Sequence, residues 1–470
     1  MALTRRDFLY RSFGAFGAAA LAFERFGLLN ALAQSTDYKA LVCIFLFGGN
    51  DSGNTVIPYD DYQNYATARE PSGVAIPKDS LLQINVPSVG SRFGLHPNLT
   101  GLHQLWEDGK MAVVCNVGPL VEPTTRSSYS NGTVRVPLNL FSHSDQVNQW
   151  QTSVSDIASP TGWGGRLADK TGDFNSTTFP PITSLAGTPI FVAGNVEQPL
   201  AIAPAPTTLN TALRLDGFSN PPDNDARYRA LRDLLEKDQS LILVRGASRV
   251  TKEALMVQRA LSATGDPIVS PFPLNPRTSL GNQLEQVAKV ISVRTALGMS
   301  RQIFFCSLGG FDTHNGQVMG GAPSTGTHAN LLAQVSGAIK AFYDAIVSLG
   351  VASQVVTFTF SDFARTFVPN GTLGTDHAWG SHHFVVGGSV RGGDFYGVPG
   401  SNGTVFPTLA PNGPDDTDQG GTARGRWIPT TAVDQYGGTL ATWFGITATD
   451  LPAVFPNIGR FSRSNLGFLG

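Results

Sequence analysis

Three apolar runs in this chain show no polar alternation, and each ends in small residues followed by an acid. Residues 40–47 pass into Gly48-Gly49-Asn50-Asp51-Ser52, residues 301–308 into Gly309-Gly310-Phe311-Asp312-Thr313-His314, and residues 354–360 into Ser361-Asp362-Phe363-Ala364-Arg365. A strand rich in Val, Ile and Phe without alternation is buried on both faces, as in a parallel sheet covered by helices. Ligands of such sheets sit outside the carboxyl ends of the strands. The runs therefore deliver carboxylates and an imidazole to one sheet edge, and Asp376-His377 and His382-His383 follow close behind the third. The fold class expected is α/β, a doubly wound and mostly parallel sheet.

Periodicity fills in the rest. Residues 99–108 place Leu99, Leu102, Leu105 and Trp106 on one helical face, and residues 111–117 read as a further strand. A βαβ unit spans strand 303–308, helix 331–349 and strand 355–360, with a right-handed crossover expected. Residues 119–210 are rich in Ser, Thr, Pro and Asn and read as loop. Residues 222–300 read as a helical insertion, and 430–444 as a final helix.

The first 33 residues read as an export signal: Thr4-Arg5-Arg6-Asp7-Phe8-Leu9 resembles a twin-arginine motif, and an apolar run leads to Ala31-Leu32-Ala33. Residues 34–470 then form one α/β domain, periplasmic or secreted, whose expected partner in transit is the twin-arginine export machinery. No later segment is long and apolar enough to span a bilayer, so no membrane span is expected after signal removal. The chain carries a net charge of -2, and removing four Arg, one Asp and one Glu with the signal makes it -4. That excludes a basic nucleic-acid footprint. Cys43, Cys115 and Cys306 lie inside apolar runs and read as buried thiols.

Five of the eight histidines fall between residues 314 and 383. Asp312 and His314 are two apart, so in extended backbone they point the same way and form a natural ligand pair. Asp51 follows two glycines that permit close backbone approach to a ligand. Asp362 opens the loop after its strand, and Arg365 either binds an oxyanion in two-point contact or pairs with a carboxylate. His377 is the first choice among the late imidazoles, held by a neighbouring acid. Ser142-His143-Ser144-Asp145 resembles an activated-hydroxyl loop, which makes His143 and Ser144 candidate catalytic residues. No Gly-x-Gly-x-x-Gly or Walker-type lysine loop is present.

In order along the chain stand Gly49-Asn50-Asp51, Leu95-His96-Pro97, Phe141-Ser142-His143, Gly162-Trp163-Gly164-Gly165-Arg166, Gly310-Phe311-Asp312-Thr313-His314, Ser361-Asp362-Phe363-Ala364-Arg365 and Asp376-His377. This set resembles a bacterial family of exported proteins carried as a domain of unknown function, grouped with the alkaline-phosphatase-like superfamily of sulfatases and phosphomutases. The resemblance implies that fold, one or two divalent ions, usually zinc, and transfer of a phosphoryl or sulfuryl group to a hydroxyl or water. It matches Asp51, Asp312, His314, Asp362 and His377 to metal ligands. It also departs: the superfamily's late pair is Asp-His, whereas Phe363 follows Asp362 here, so one ligand of a second ion is missing or comes from elsewhere. The function expected is a metal-dependent hydrolase of phosphate or sulfate esters, acting on a small-molecule ester. The alternative is a non-catalytic exported protein that keeps the fold and binds a cell-surface polymer or protein partner.

Overall fold

The computed structural model describes residues 38–213, 225–237, 240–269, 272 and 277–470, so the 1–33 leader lies outside the described residues. Among the described residues no helix is long and apolar enough to cross a membrane.

The first apolar run is β1 (Lys39–Leu46). Ala40, Val42, Ile44 and Leu46 enter one hydrophobic core, and Leu41, Cys43 and Phe45 enter another. Successive side chains of a strand point to opposite faces, so a continuous apolar run is what burial on both faces demands. Three antiparallel strands, β2 (Val56–Pro58), β3 (Leu82–Val86) and β4 (Ser91–Leu95), form a small separate sheet. The large sheet adds β5 (Met111–Gly118), β6 (Ile182–Ser184), β7 (Leu200–Ala201), β8 (Arg301–Leu308), β9 (Val355–Ser361), β10 (Ser381–Gly387), β11 (Phe395–Tyr396) and β12 (Thr431–Ala432). Its order is β11-β5-β10-β9-β1-β8-β6-β7, with β12 beside β5. It is mostly parallel; among the described strands of this sheet, β10 runs against both of its neighbours, β5 and β9.

Helices cover both faces. Leu102 and Trp106 of the Thr100–Glu107 helix, Leu284 and Ile291 of Ser279–Ser292, and Val335, Ile339 and Phe342 of Thr327–Ser348 pack in the first core. Trp150 of His143–Thr152, Trp163 and Leu167 of Trp163–Thr171, and Tyr436 and Phe444 of Val433–Phe444 pack in the second. The expected βαβ unit is present with a difference: β8 and β9 are not neighbours but flank β1.

One expectation is corrected. Residues 119–210 are not mere loop, since they hold two helices of the second core, strand β6 beside β8 and the edge strand β7. The His143–Thr152 helix buries Gln146, Gln149 and Gln151 beside Trp150, so its inner face is mixed and shows no continuous apolar stripe. His382 and His383, set behind His377 among the late imidazoles, lie inside β10, and burial depresses each imidazole to about 3. The three cysteines are free and buried in β1, β5 and β8. Trp163 is a wedge packed against Phe191, Phe358, Phe360 and Phe455. Arg166 on the same helix donates to the carbonyls of Thr152, Thr161 and Val454, which ties three segments together.

Asp434, in the first turn of the Val433–Phe444 helix, is buried, and its Oδ1 finds no hydrogen-bond partner among the described residues. Burial pushes its carboxyl up to about 7. An unfolded aspartate ionises near 3.9, so between about pH 4 and pH 7 the unfolded chain carries a charge that the folded chain resists. Stability is therefore lost as pH rises through that window and is level above it, by on the order of 4 kcal/mol. Asp434→Asn should raise the melting temperature at pH 8 and give no gain near pH 4. Thermal unfolding of both proteins at the two pH values checks this, and an equal shift at both would disprove it.

Candidate metal centre

Three loops leave the sheet at one level. Leu46 at the end of β1 stands opposite Leu308 of β8 and Ser361 of β9. The β1 loop then lies flat across its neighbours: Gly48 N donates to Asp362 Oδ1 (3.0 Å), and Asn50 N donates to Ser361 Oγ (2.8 Å). Gly48 has φ +112°, and a Cβ there would come within 2.3 Å of the Asp312 backbone nitrogen. Only glycine permits this approach, which sets the position of Asp312.

Around Asp312 the chain gathers imidazoles. Asp312 Oδ1 lies 3.4 Å from His143 Nε2, 3.1 Å from His314 Nε2 and 3.4 Å from His377 Nε2. His314 Nε2 and His377 Nε2 are 2.9 Å apart. The ligand atoms of His143, Asp312 and His377 all fall within 4.8 Å of one another. Each ring is held from behind by its other nitrogen. His143 Nδ1 donates to Asp362 Oδ2 (2.7 Å), His314 Nδ1 to Asp376 Oδ1 (2.9 Å) and His377 Nδ1 to the Phe141 carbonyl (2.7 Å). These partners accept only, so in each neutral ring Nε2 carries the lone pair. Phe363 lies against His143 and His377, with ring centroids 4.8 and 4.7 Å away.

The donor set fits a divalent ion. The lone pairs of His314 and His377 point at one another, a contact that repels unless a proton or a cation lies between them. His143 Nε2 is buried with no hydrogen-bond partner among the described residues. Ligand atoms of a tetrahedral zinc with bonds of about 2.0 Å sit about 3.3 Å apart, and Asp312 Oδ1 stands 3.1–3.4 Å from the three nitrogens. Acid-held imidazoles are the usual outer support of such a centre.

The charges agree with this arrangement. Burial pushes the Asp312 carboxyl up, but the Arg365 hydrogen bond and charge, with the imidazoles, outweigh it and hold Asp312 below the usual range. The Asp362 hydrogen bond lifts His143 above the ordinary imidazole value against the effect of burial. Burial lowers His377. The centre is open on one side, with the Asp312 side chain 46% exposed and that of His314 39%.

The family described as "Protein of unknown function (DUF1501)" matches residues 38–405. The chain belongs to it. No curated protein sequence matches the chain. Among solved structures it is similar to the lipoteichoic acid synthase LtaP from Listeria monocytogenes, with 8% identity over 83% of this chain and 74% of that one, and a TM-score of 0.28.

In this DUF1501 chain the residues singled out from sequence fall in different places. His143, His314 and His377 each stand within 3.4 Å of Asp312 Oδ1, and the ligand atoms of His143, Asp312 and His377 are mutually close. Asp362 stands one layer back: its two oxygens take Gly48 N and His143 Nδ1. Asp51 stands apart in a buried ion pair, Arg69 Nη1 to Asp51 Oδ2 at 2.6 Å. Arg365 is wholly buried; its Nη1 donates to Asp312 Oδ1 (2.7 Å) and Gly48 O (3.2 Å), and its Nη2 to the Thr375 carbonyl. Ser144 Oγ donates to Asp145 Oδ2 (3.3 Å), and Ser142 Oγ to the same atom (2.6 Å), so neither hydroxyl is bonded to His143. Sequence reading missed Arg69, Gln317 and the Phe141 carbonyl. It also missed that Asp376 serves His314 rather than its own neighbour His377. The one local signal was Asp376 itself, an acid beside a candidate imidazole.

Gly48→Ala should distort the centre as well as the fold, because the new Cβ strains a left-handed residue and pushes on Asp312. The cost expected is about 1–3 kcal/mol. Gly316→Ala, also at positive φ but facing open space, is the control that isolates backbone strain from the push. Melting temperatures and metal affinity of the two variants separate the effects: both variants lose stability, and only Gly48→Ala loses metal.

Proposed function

We propose that this chain is an exported, metal-dependent hydrolase of phosphate or sulfate esters with an alkaline-phosphatase-like fold. The observation that carries the proposal is the convergence of three Nδ1-anchored imidazoles on Asp312 Oδ1. In this reading His143, His314, His377 and Asp312 hold one divalent ion, zinc. When bound, the ion supplies charge that polarises an ester oxygen and lowers the pKa of water. The chain's own groups do the positioning. Asp362, Asp376 and the Phe141 carbonyl fix the three rings, and Arg365 fixes Asp312. Two partly exposed guanidiniums flank the same loop: Arg426 Nε donates to the His377 carbonyl (2.9 Å) and Arg424 Nη2 to Asp376 Oδ2 (3.0 Å). Cations at the mouth of a site draw an anionic ester inward. The position outside the carboxyl ends of β1, β8 and β9 supports the same reading.

One observation favours the non-catalytic alternative. Four protein donors fill a tetrahedral ion, and such closed sites are structural, whereas catalytic ones keep a place open. Metal content and turnover distinguish the two. Purified protein should carry zinc and cleave an aryl phosphate or aryl sulfate. Asp312→Ala should lose metal and turnover together. Asp362→Asn and Arg365→Ala, which touch ligands and not the ion, should weaken zinc binding by about 10- to 100-fold. Zinc without turnover on either ester class would leave the structural reading standing, and protein without divalent metal would end the hydrolase proposal and favour the non-catalytic alternative.

A further inference from the structure

The resemblance to enzymes with one or two ions matches Asp51 and Asp362 to metal ligands, and the structure has already given both carboxylates other partners. Asp51 is fully buried, and Arg69 grips both its oxygens, Nη1 to Oδ2 at 2.6 Å and Nη2 to Oδ1 at 2.9 Å. Gln317 Nε2 donates to Oδ2 (2.5 Å) and Gly53 N to Oδ1 (3.1 Å). A carboxylate has about four acceptor directions, and these four donors take them. Asp362 is spent on Gly48 N and His143 Nδ1.

Arg69 sits in a place built for it. Its side chain is wholly buried. Its other hydrogens go to Asn54 Oδ1 (2.6 Å), Thr366 O (3.2 Å) and Phe367 O (2.9 Å). Its guanidinium lies over the rings of Tyr65 and Phe367, 5.7 and 5.3 Å from their centroids. Gly53 leaves the room, since a Cβ there would come within 2.6 Å of Arg69 Nη2.

We infer that this protein binds one divalent cation and not two, the guanidinium of Arg69 standing at Asp51 where a two-ion site would place its second metal. The inference rests on the reading of His143, His314, His377 and Asp312 as a metal centre. A guanidinium neutralises a carboxylate but has no vacant orbital for an ester oxygen or a water. Asp51 therefore anchors the β1 loop through Arg69, and the two-metal clamp on attacking and leaving oxygens is lost.

Counting ions tests this. Full chain dialysed against zinc and analysed by inductively coupled plasma mass spectrometry should hold one zinc per chain, and titration of metal-free protein with cobalt(II) should reach its visible absorption end point at one equivalent. His377→Ala should abolish both signals. The paired variant Asp51→Asn with Arg69→Met leaves no buried charge unpartnered, so it has the best prospect of folding; it should still bind one equivalent. Two ions per wild-type chain would overturn the inference while leaving the ester-hydrolase proposal intact, and loss of the ion from the paired variant would make Asp51 part of the centre after all. Wild-type protein that binds no ion would remove the metal reading itself, and the count with it. If the paired variant does not fold, the wild-type count still decides.

Discussion

The parallel register of β9, β1 and β8 is the constraint on which the rest of the molecule depends. Leu46 faces Leu308 on one side and Ser361 on the other, so three chains end at one level and turn outward together. A slip along one strand would carry Asp312 or Asp362 away from the others. Burial prevents such slips, because a one-residue shift would turn every side chain of β1 to the opposite core. The same apolar packing that stabilises the sheet thus fixes the distances in the site above it.

Above that edge the loops are held mainly by charge. Arg69 neutralises Asp51 and Arg365 neutralises Asp312, and the carbonyls of Gly48, Thr366, Phe367 and Thr375 use the remaining guanidinium hydrogens. Taking ions out of water is expensive, and removing one member of a buried pair typically costs about 3–5 kcal/mol. The pairs do different work. Arg69 and Asp51 are both fully buried, whereas Asp312 keeps 46% of its side chain exposed to solvent. One carboxylate is enclosed by the fold, and the other is presented by it.

The imidazoles show how environment divides one residue type into several roles. His143, His314 and His377 keep an acceptor behind Nδ1 and present Nε2 to Asp312. His96, His328, His382 and His383 are buried, and burial depresses them to about 3, 4, 3 and 3. Those four are neutral packing groups, although His328 Nε2 still bonds Asn50 Oδ1 at 2.9 Å.

Much of the fold was legible in the sequence because burial on both faces of a strand leaves a local mark. The runs that became β1, β8 and β9, the helix stripes and the acids at strand ends all follow from periods of 2 and 3.6 residues. Asp312, His314 and His377 stood out for the same reason, since each follows a recognisable strand or motif. The sequence alone therefore determined a mostly parallel α/β sheet with acids and imidazoles at one edge. Tertiary structure alone decided which of these groups touch. His143 meets Asp362 across 219 positions, and Gln317 meets Asp51 across 266. Arg69 lies in a short helix with little amphipathic character, and nothing in its neighbourhood marks it as the partner of Asp51. Side-chain periodicity is set by the nearest few residues, whereas ion pairing is set by proximity after folding and by the cost of leaving a buried charge alone.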